Sequence, residues 1–170
     1  MSDSVDVVNE ISEQIRAKKQ EVRFSTREYV VEYLIDKFKE EEFFIPFEYQ
    51  RNFVWTDKDC SYFIESVLIG LPIPYMFFAD TDDGRTEIVD GAQRMNALAN
   101  FVNDDLKLAD LKILTSVNGK TFSELPIEVQ RRFSNASFRV VYLEEGTTVE
   151  VRQEIFRRIN SSGKQLRSQE

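Results

Sequence analysis

The side chains best suited to do chemistry stand in one stretch, Thr86-Glu87-Ile88-Val89-Asp90-Gly91-Ala92-Gln93-Arg94-Met95-Asn96-Ala97-Leu98. Asp90, Gly91, Gln93 and Arg94 bring together a carboxylate, a backbone without a Cβ, an amide and a guanidinium. Ile88 and Val89 read as a buried strand. Asp90-Gly91 breaks it, and Met95, Leu98, Phe101 and Val102 then recur on one helical face. The polar residues thereby fall at a strand tip and in the first turn of a helix, where amides lack helical partners and carry partial positive charge. Glycine lets a ligand approach the backbone closely, and arginine can fork onto phosphate oxygens. The arrangement reads as an anion site, foremost for a nucleotide phosphate. The competing reading is a plain strand-turn-helix corner capped by Asp90.

A second polar cluster interrupts an aromatic run at Tyr49-Gln50-Arg51-Asn52-Phe53-Val54-Trp55. Surface loops are rarely so aromatic, and core strands do not carry Gln-Arg-Asn. The mixture suits a loop lying on the core with polar groups turned into a cleft, or a structural loop whose arginine pairs with an acid. Absences narrow the chemistry. The chain has no histidine and a single cysteine, Cys60. That removes Ser-His-Asp and Cys-His catalysis, His-ligated zinc and multi-thiolate sites from within it. A metal would be held by carboxylates or substrate phosphates, which favours magnesium, with Asp90 as its candidate ligand. A formal net charge of -8 weighs against autonomous binding of duplex DNA. The most basic part, bearing Arg152, Arg157, Arg158, Lys164 and Arg167, reads as a solvated helix face. No apolar run is long enough to span a membrane and the N-terminus has no signal-peptide core, so a cytoplasmic protein without a membrane partner is expected.

The elements that must position these residues follow from local pattern. Residues 1–24 are expected to form a polar helical extension, with Val5, Val8, Ile11 and Ile15 at roughly helical spacing, and 25–170 a single domain. Ser25-Thr26-Arg27-Glu28 has the form of a capping box, predicting a helix that buries Val30, Val31, Leu34, Ile35 and Phe38. Phe43 to Phe47, interrupted by Pro46, predicts an edge strand or extended entry segment. A helix is expected from Asp57 to Gly70, capped by Thr56 or Asp57 and ended by the glycine. Tyr75–Ala79 and Thr86–Val89 flank the turn signal Asp82-Asp83-Gly84-Arg85 as a hairpin. Short strands are expected at Leu106–Leu108 and Leu111–Leu114, a helix from Ser123-Glu124-Leu125-Pro126, and a strand at Phe138–Leu143. The last helix carries Val151, Ile155, Phe156 and Ile159 and is expected to close at Asn160-Ser161-Ser162-Gly163.

Four of these segments, in order, resemble the N-terminal domain of GmrSD-type, modification-dependent restriction systems, a domain also found in other bacterial phage-defence proteins. They are Ile45 to Trp55, Glu65 to Pro74, Ile88 to Leu98, and Phe156-Arg157-Arg158-Ile159-Asn160-Ser161-Ser162-Gly163-Lys164-Gln165-Leu166. The resemblance covers the chain from about Phe43 onward, with Glu170 where the last segment usually ends in an acid. It implies an α+β fold, a ParB/sulfiredoxin-like small mixed sheet packed with helices, with phosphate bound at a helix N-terminus. It also implies a regulatory domain that binds and hydrolyses a nucleoside triphosphate and controls a nuclease. That nuclease, of the His-Asn-His or a related type, would lie C-terminal to this domain or in a separate subunit, and DNA would be met through the full-length protein. Without histidine the nuclease centre is not in this chain, which is expected to be a fragment or a short stand-alone relative.

Carried onto these residues, the resemblance makes Asp90, Gln93 and Arg94 the catalytic set, with Tyr49, Gln50, Arg51, Gly91, Asn160 and Gly163 binding the nucleotide. One position departs. The family's central motif is usually Asp-Gly-Gln-Gln-Arg, and Ala92 stands for its first glutamine. If that glutamine positions water or phosphate, hydrolysis slows while binding survives, since a hydrogen bond to a charged ligand is worth roughly 1.5–3 kcal/mol. If Ala92 points away from the ligand, nothing changes. Two other readings stand beside this one: a DNA-sensing module without catalysis, contacting DNA through Tyr49, Trp55 and the arginines, and a purely structural interaction domain whose polar cluster fixes the fold.

Overall fold

A computed structural model describes residues 2–47, 54–144 and 146–167, and the side chains of 7–47, 54–144 and 146–159. In chain order its elements are α1 (Ser2–Glu21), β1 (Phe24–Val30), α2 (Val31–Lys39), β2 (Phe43–Phe44), α3 (Asp57–Ile69), β3 (Met76–Asp80), β4 (Thr86–Asp90), α4 (Ala92–Val102), α5 (Ile127–Ser134), β5 (Ser137–Leu143) and α6 (Val149–Arg167), with a 3-10 turn at Thr115–Val117. The strands form one mixed sheet in the order β1-β5-β3-β4-β2. Pairs β1/β5 and β3/β4 are antiparallel, and β3/β5 and β2/β4 are parallel. The class is α+β, as the sequence leads one to expect; the ParB/sulfiredoxin likeness remains an implication of the resemblance.

The hairpin β3–β4 forms where its turn residues place it. Gly84 takes a left-handed φ of 82°, Thr81 N–H donates to Arg85 O at 2.9 Å, and the Thr81 hydroxyl donates to Asp83 Oδ1 at 2.6 Å. Donation from Thr81 and then from Arg85 holds the Asp83 carboxyl down at about 2. Along both strands side chains alternate between the faces. Met76, Phe78 and Ile88 enter the main core, which they share with Leu34 and Ile35 of α2, Ile64 of α3, Leu98 and Phe101 of α4 and Phe133 of α5. Ala79 and Val89 point to the opposite face, where with Leu143 they form a small second cluster under Ile155 and Phe156 of α6. Helices thus cover both faces at β4, heavily on one and with α6 alone on the other.

Helix α3 begins and ends on its own signals. Thr56 and Asp59 make a reciprocal capping box, and Gly70 closes the helix at φ 82°. Cys60 is buried in the core. Burial first, and then Asp57 and Asp59, push its thiol up, so it stays unreactive.

Four expectations need correction. Ser25 to Glu28 is not a helix start: Phe24–Val30 is an edge strand paired with β5, and the helix begins at Val31. The ladder to Ser137–Leu143 satisfies its backbone groups, and Arg27 lies 4.0 Å from the centroid of the Tyr142 ring. Neither Leu106–Leu108 nor Leu111–Leu114 is a strand. Their leucines at 106, 108 and 111 are buried; Leu106 N–H donates to Asn100 O, Leu108 N–H to Lys120 O and Gly119 N–H to Leu108 O, and side chains hold the stretch that follows. The Ser61 hydroxyl accepts from Ala109 N–H, Asn118 Oδ1 from Leu111 N–H, and Glu65 Oε1 from the amides of Ile113 (3.2 Å) and Leu114 (2.7 Å). The helix expected from Ser123 starts at Ile127, after Pro126. Finally, α6 does not close at Asn160–Gly163 but runs on to Arg167.

Glu65 is 3% exposed, so its carboxylate is a buried pin for the irregular segment. Glu65→Ala orphans two amides and should cost about 1–3 kcal/mol. Hydrogen exchange should quicken at Ile113 and Leu114, while α4 keeps its protection. Equal exchange at those two amides in the variant would rule the pin out.

Candidate functional site

The Asp90 corner is built by the end of β4, Gly91 and the first turn of α4. Gly91 is the N-cap, at φ 109°, and has no side chain with which to cap the helix. Asp90 is therefore not the cap. Its Oδ2 sits 2.7 Å from Arg94 Nη2, one helical turn on, with the side chains only 25% and 13% exposed. Arg94 also donates through Nη1 to Pro74 O and through Nη2 to Tyr75 O at 3.3 Å. It clamps the Pro74–Tyr75 entry to β3 against the exit of β4. Burial draws the guanidinium below its ordinary range, opposed by Asp90, and arginine stays charged throughout.

Gln93 turns the other way. Its Oε1 accepts from Trp55 N–H at 3.0 Å and Val54 N–H at 3.3 Å. The side chain thus anchors the end of the aromatic loop whose earlier residues, Tyr49, Gln50 and Arg51, lie outside the described residues. Ala92, at the first helical position, is partly buried and packed on the main core. Gly91 is confined as well: a Cβ there would lie 2.7 Å from Met76 Cγ and 2.9 Å from Met76 Sδ. This glycine is required by packing whether or not a ligand approaches it.

The band of polar contacts continues along that end of the sheet. Arg139 Nη1 donates to the Tyr75 hydroxyl at 3.1 Å, and Arg139 Nε to Glu28 Oε1 at 2.9 Å. Pro74, Tyr75 and Arg139 were not singled out as site residues by sequence reasoning. The only local signal was that Arg94 must find acceptors if buried, and nothing in the spacing names carbonyls at 74 and 75.

On the opposite face Arg152 lies over the turn end of the hairpin, 3.5 Å from Glu87 Oε1 and 3.3 Å from Asp80 O. One turn on, Ile155 and Phe156 pack at Phe77, Ala79 and Val89. Helix α6 therefore advances in the direction of β4, toward the Asp90 end. Asn160 and Gly163 lie further along its backbone, and their side chains are outside those described. The expected solvated face holds for Arg157 and Arg158, which are exposed and paired with Glu154, but not for the half-buried Arg152.

Three separate segments, ending or beginning at Trp55, Pro74 and Asp90, thus meet on the first turn of α4, and a fourth runs up behind the sheet. Residues 31–170 match the family of the GmrSD restriction endonuclease, N-terminal domain. The chain belongs to that family. The match opens at Val31, the first residue of α2, so the GmrSD N-terminal domain takes in a helix upstream of Phe43, while α1 and β1 lie outside it. No curated protein and no solved structure matches the chain. No helix among the described residues is long and apolar enough to cross a membrane.

Proposed function

We propose that this GmrSD N-terminal domain binds a nucleoside triphosphate at the Asp90–Arg94 corner and couples it to a nuclease elsewhere in the restriction system. The observation that carries the reading is the first turn of α4, whose N-cap Gly91 has no side chain to cap it, with Gln93 accepting from the amides of Val54 and Trp55 beside it. Phosphate would lie against the amides of that turn, where the helix dipole favours negative charge. Arg51 and Gln50 would contact it, Tyr49 would meet the base or sugar, and Asn160 and Gly163 would close the cleft from α6.

Arg94 and Gln93 then divide the work differently from a pair of freely reaching side chains. Arg94 adds positive charge but donates to three protein oxygens, so it holds the corner in shape. Gln93 holds the loop. Among the described residues no three His, Cys, Asp or Glu side chains group as a metal cage. Magnesium would therefore arrive held chiefly by the phosphates, with Asp90 as its one protein carboxylate. Hydrolysis would rest on charge stabilisation in the transition state rather than on a protein base. DNA would be engaged by the full-length protein.

A thermal-shift series with GTP, ATP and CTP, each with magnesium, tests this. A ligand at about one hundred times its Kd adds about 2.7 kcal/mol to a native state that alone binds it. At least one triphosphate should raise the melting temperature, and Arg51→Ala should abolish the rise. Absence of any shift with a folded sample would remove the site. Ala92→Gln, which restores the family's amide, should raise phosphate release by the folded protein; an unchanged rate would mean position 92 does not face the reacting phosphate.

A second reading, that the cluster only fixes the fold, is favoured by one observation: both Arg94 and Gln93 are engaged by protein groups. It predicts no nucleotide shift at all, so the same series separates the two.

A further inference from the structure

Every described side chain of α1 from Val7 to Gln20 is exposed, including Val8, Ile11 and Ile15 at 59%, 51% and 52%. These three are spaced by three and then four residues, the a/d seam of a short coiled coil. A polar helix of this length is marginal alone and gains its stability by burying such a stripe. Nothing among the described residues buries it, and α1 precedes the stretch that matches the family.

The charge pattern says what covers it. Asp3, Asp6, Glu10 and Glu13 make the first half acidic, with no basic residue among 2–14, whereas Arg16, Lys18, Lys19 and Arg23 against Glu21 make the following stretch basic. Part of this asymmetry serves the helix itself, since acids suit its N-terminus and bases its C-terminus. The same asymmetry makes two parallel copies repel and two antiparallel copies attract. We infer that the α1 seam is a self-association surface, occupied by α1 of a second copy of this chain lying antiparallel to it.

Register follows from the seam. Setting Val8 opposite Ile15 puts Ile11 beside its own symmetry mate, brings Asp6 between Arg16 and Lys18, and brings Asp3 within one residue of Lys19. The contact is two-fold and self-complementary, so it closes at a dimer and cannot propagate. Because α1 connects to β1 through Val22 and Arg23 alone, the two domains would be held close together.

Sedimentation velocity of the 170-residue chain across the micromolar range tests this, at low and high salt. A reversible dimer is expected, weaker at high salt because exposed charge pairs are screened. Ile11→Asp and Ile15→Asp should each weaken it about tenfold or more, since each removes one buried apolar side chain from each copy. Thermal unfolding of the domain should not change, because neither residue belongs to its core. On mild oxidation of mixed variants, Ser4→Cys should couple to Lys18→Cys and not to itself. A wild-type chain that stays monomeric overturns the inference, as does a monomer whose α1 amides are protected by docking on its own domain. A dimer that survives both Ile→Asp changes, or a Ser4→Cys homodisulfide, overturns it equally.

Discussion

Replacing Gly91 by alanine should destabilise the domain by about 2–6 kcal/mol, a large part of the 5–15 kcal/mol typical of a whole domain. Two costs add. A side chain at φ 109° is strained, by about 1–3 kcal/mol. The new Cβ would also lie 2.7 Å from Cγ of Met76, which is fully buried between sheet and helices and has little room to yield. Overpacking of that kind costs about 1–3 kcal/mol. Urea unfolding followed by fluorescence of the single tryptophan, Trp55, reads this directly, since its ring packs 5.6 Å from that of Phe63. Gly84→Ala is the control. It shares a left-handed φ of 82° but meets nothing within 4 Å, so it should carry the strain without the clash. Shortening Met76 in the Gly91→Ala background should recover part of the loss, a non-additivity expected only of touching residues. A Gly91→Ala variant as stable as the Gly84→Ala control would show that Met76 does not confine this position.

The two glycines also show how far local sequence carries. Both are legible as sites of turning, and the hairpin, the capped helix α3 and the strand-to-helix corner all form where caps and glycines predict. What spacing does not reveal is long-range demand. Ser25 to Glu28 satisfies a helix-cap pattern, yet its backbone is claimed by a strand more than a hundred residues away, and Arg27 covers Tyr142 instead of facing a helix dipole. Leu106, Leu108 and Leu111 are apolar because they fill the core, while their chain is held by single backbone bonds to Asn100, Gly119 and Lys120 and by the side chains of Ser61, Glu65 and Asn118, without any ladder. At the site the same limit applies. Asp90, Gly91, Gln93 and Arg94 were picked out by type and spacing, but the partners of Arg94 are main-chain oxygens at 74 and 75, which no side-chain pattern can announce.

Arg94→Ala is expected to cost about 2–4 kcal/mol, less than a fully buried ion pair because Asp90 keeps some contact with water. The variant removes the partner of a half-buried carboxylate and the donors to Pro74 and Tyr75 together, so the entry of β3 and the exit of β4 lose their clamp. Arg94→Lys should recover only part of the loss, since an ammonium keeps the charge but cannot span Asp90 and two carbonyls in one plane. Chemical denaturation of the three proteins gives the order wild type, lysine, alanine. A lysine variant equal to wild type would reduce the clamp to simple charge. Below its melting transition the alanine variant also separates shape from chemistry. If Arg94 acts by holding the corner, nucleotide affinity falls in proportion to the loosening of residues 74–75, seen as faster hydrogen exchange at Met76. If its guanidinium stabilises the transferred phosphoryl group, turnover falls by far more than affinity, and lysine does not restore it. The geometry favours the first outcome, because both terminal nitrogens of Arg94 already donate to oxygens of the protein.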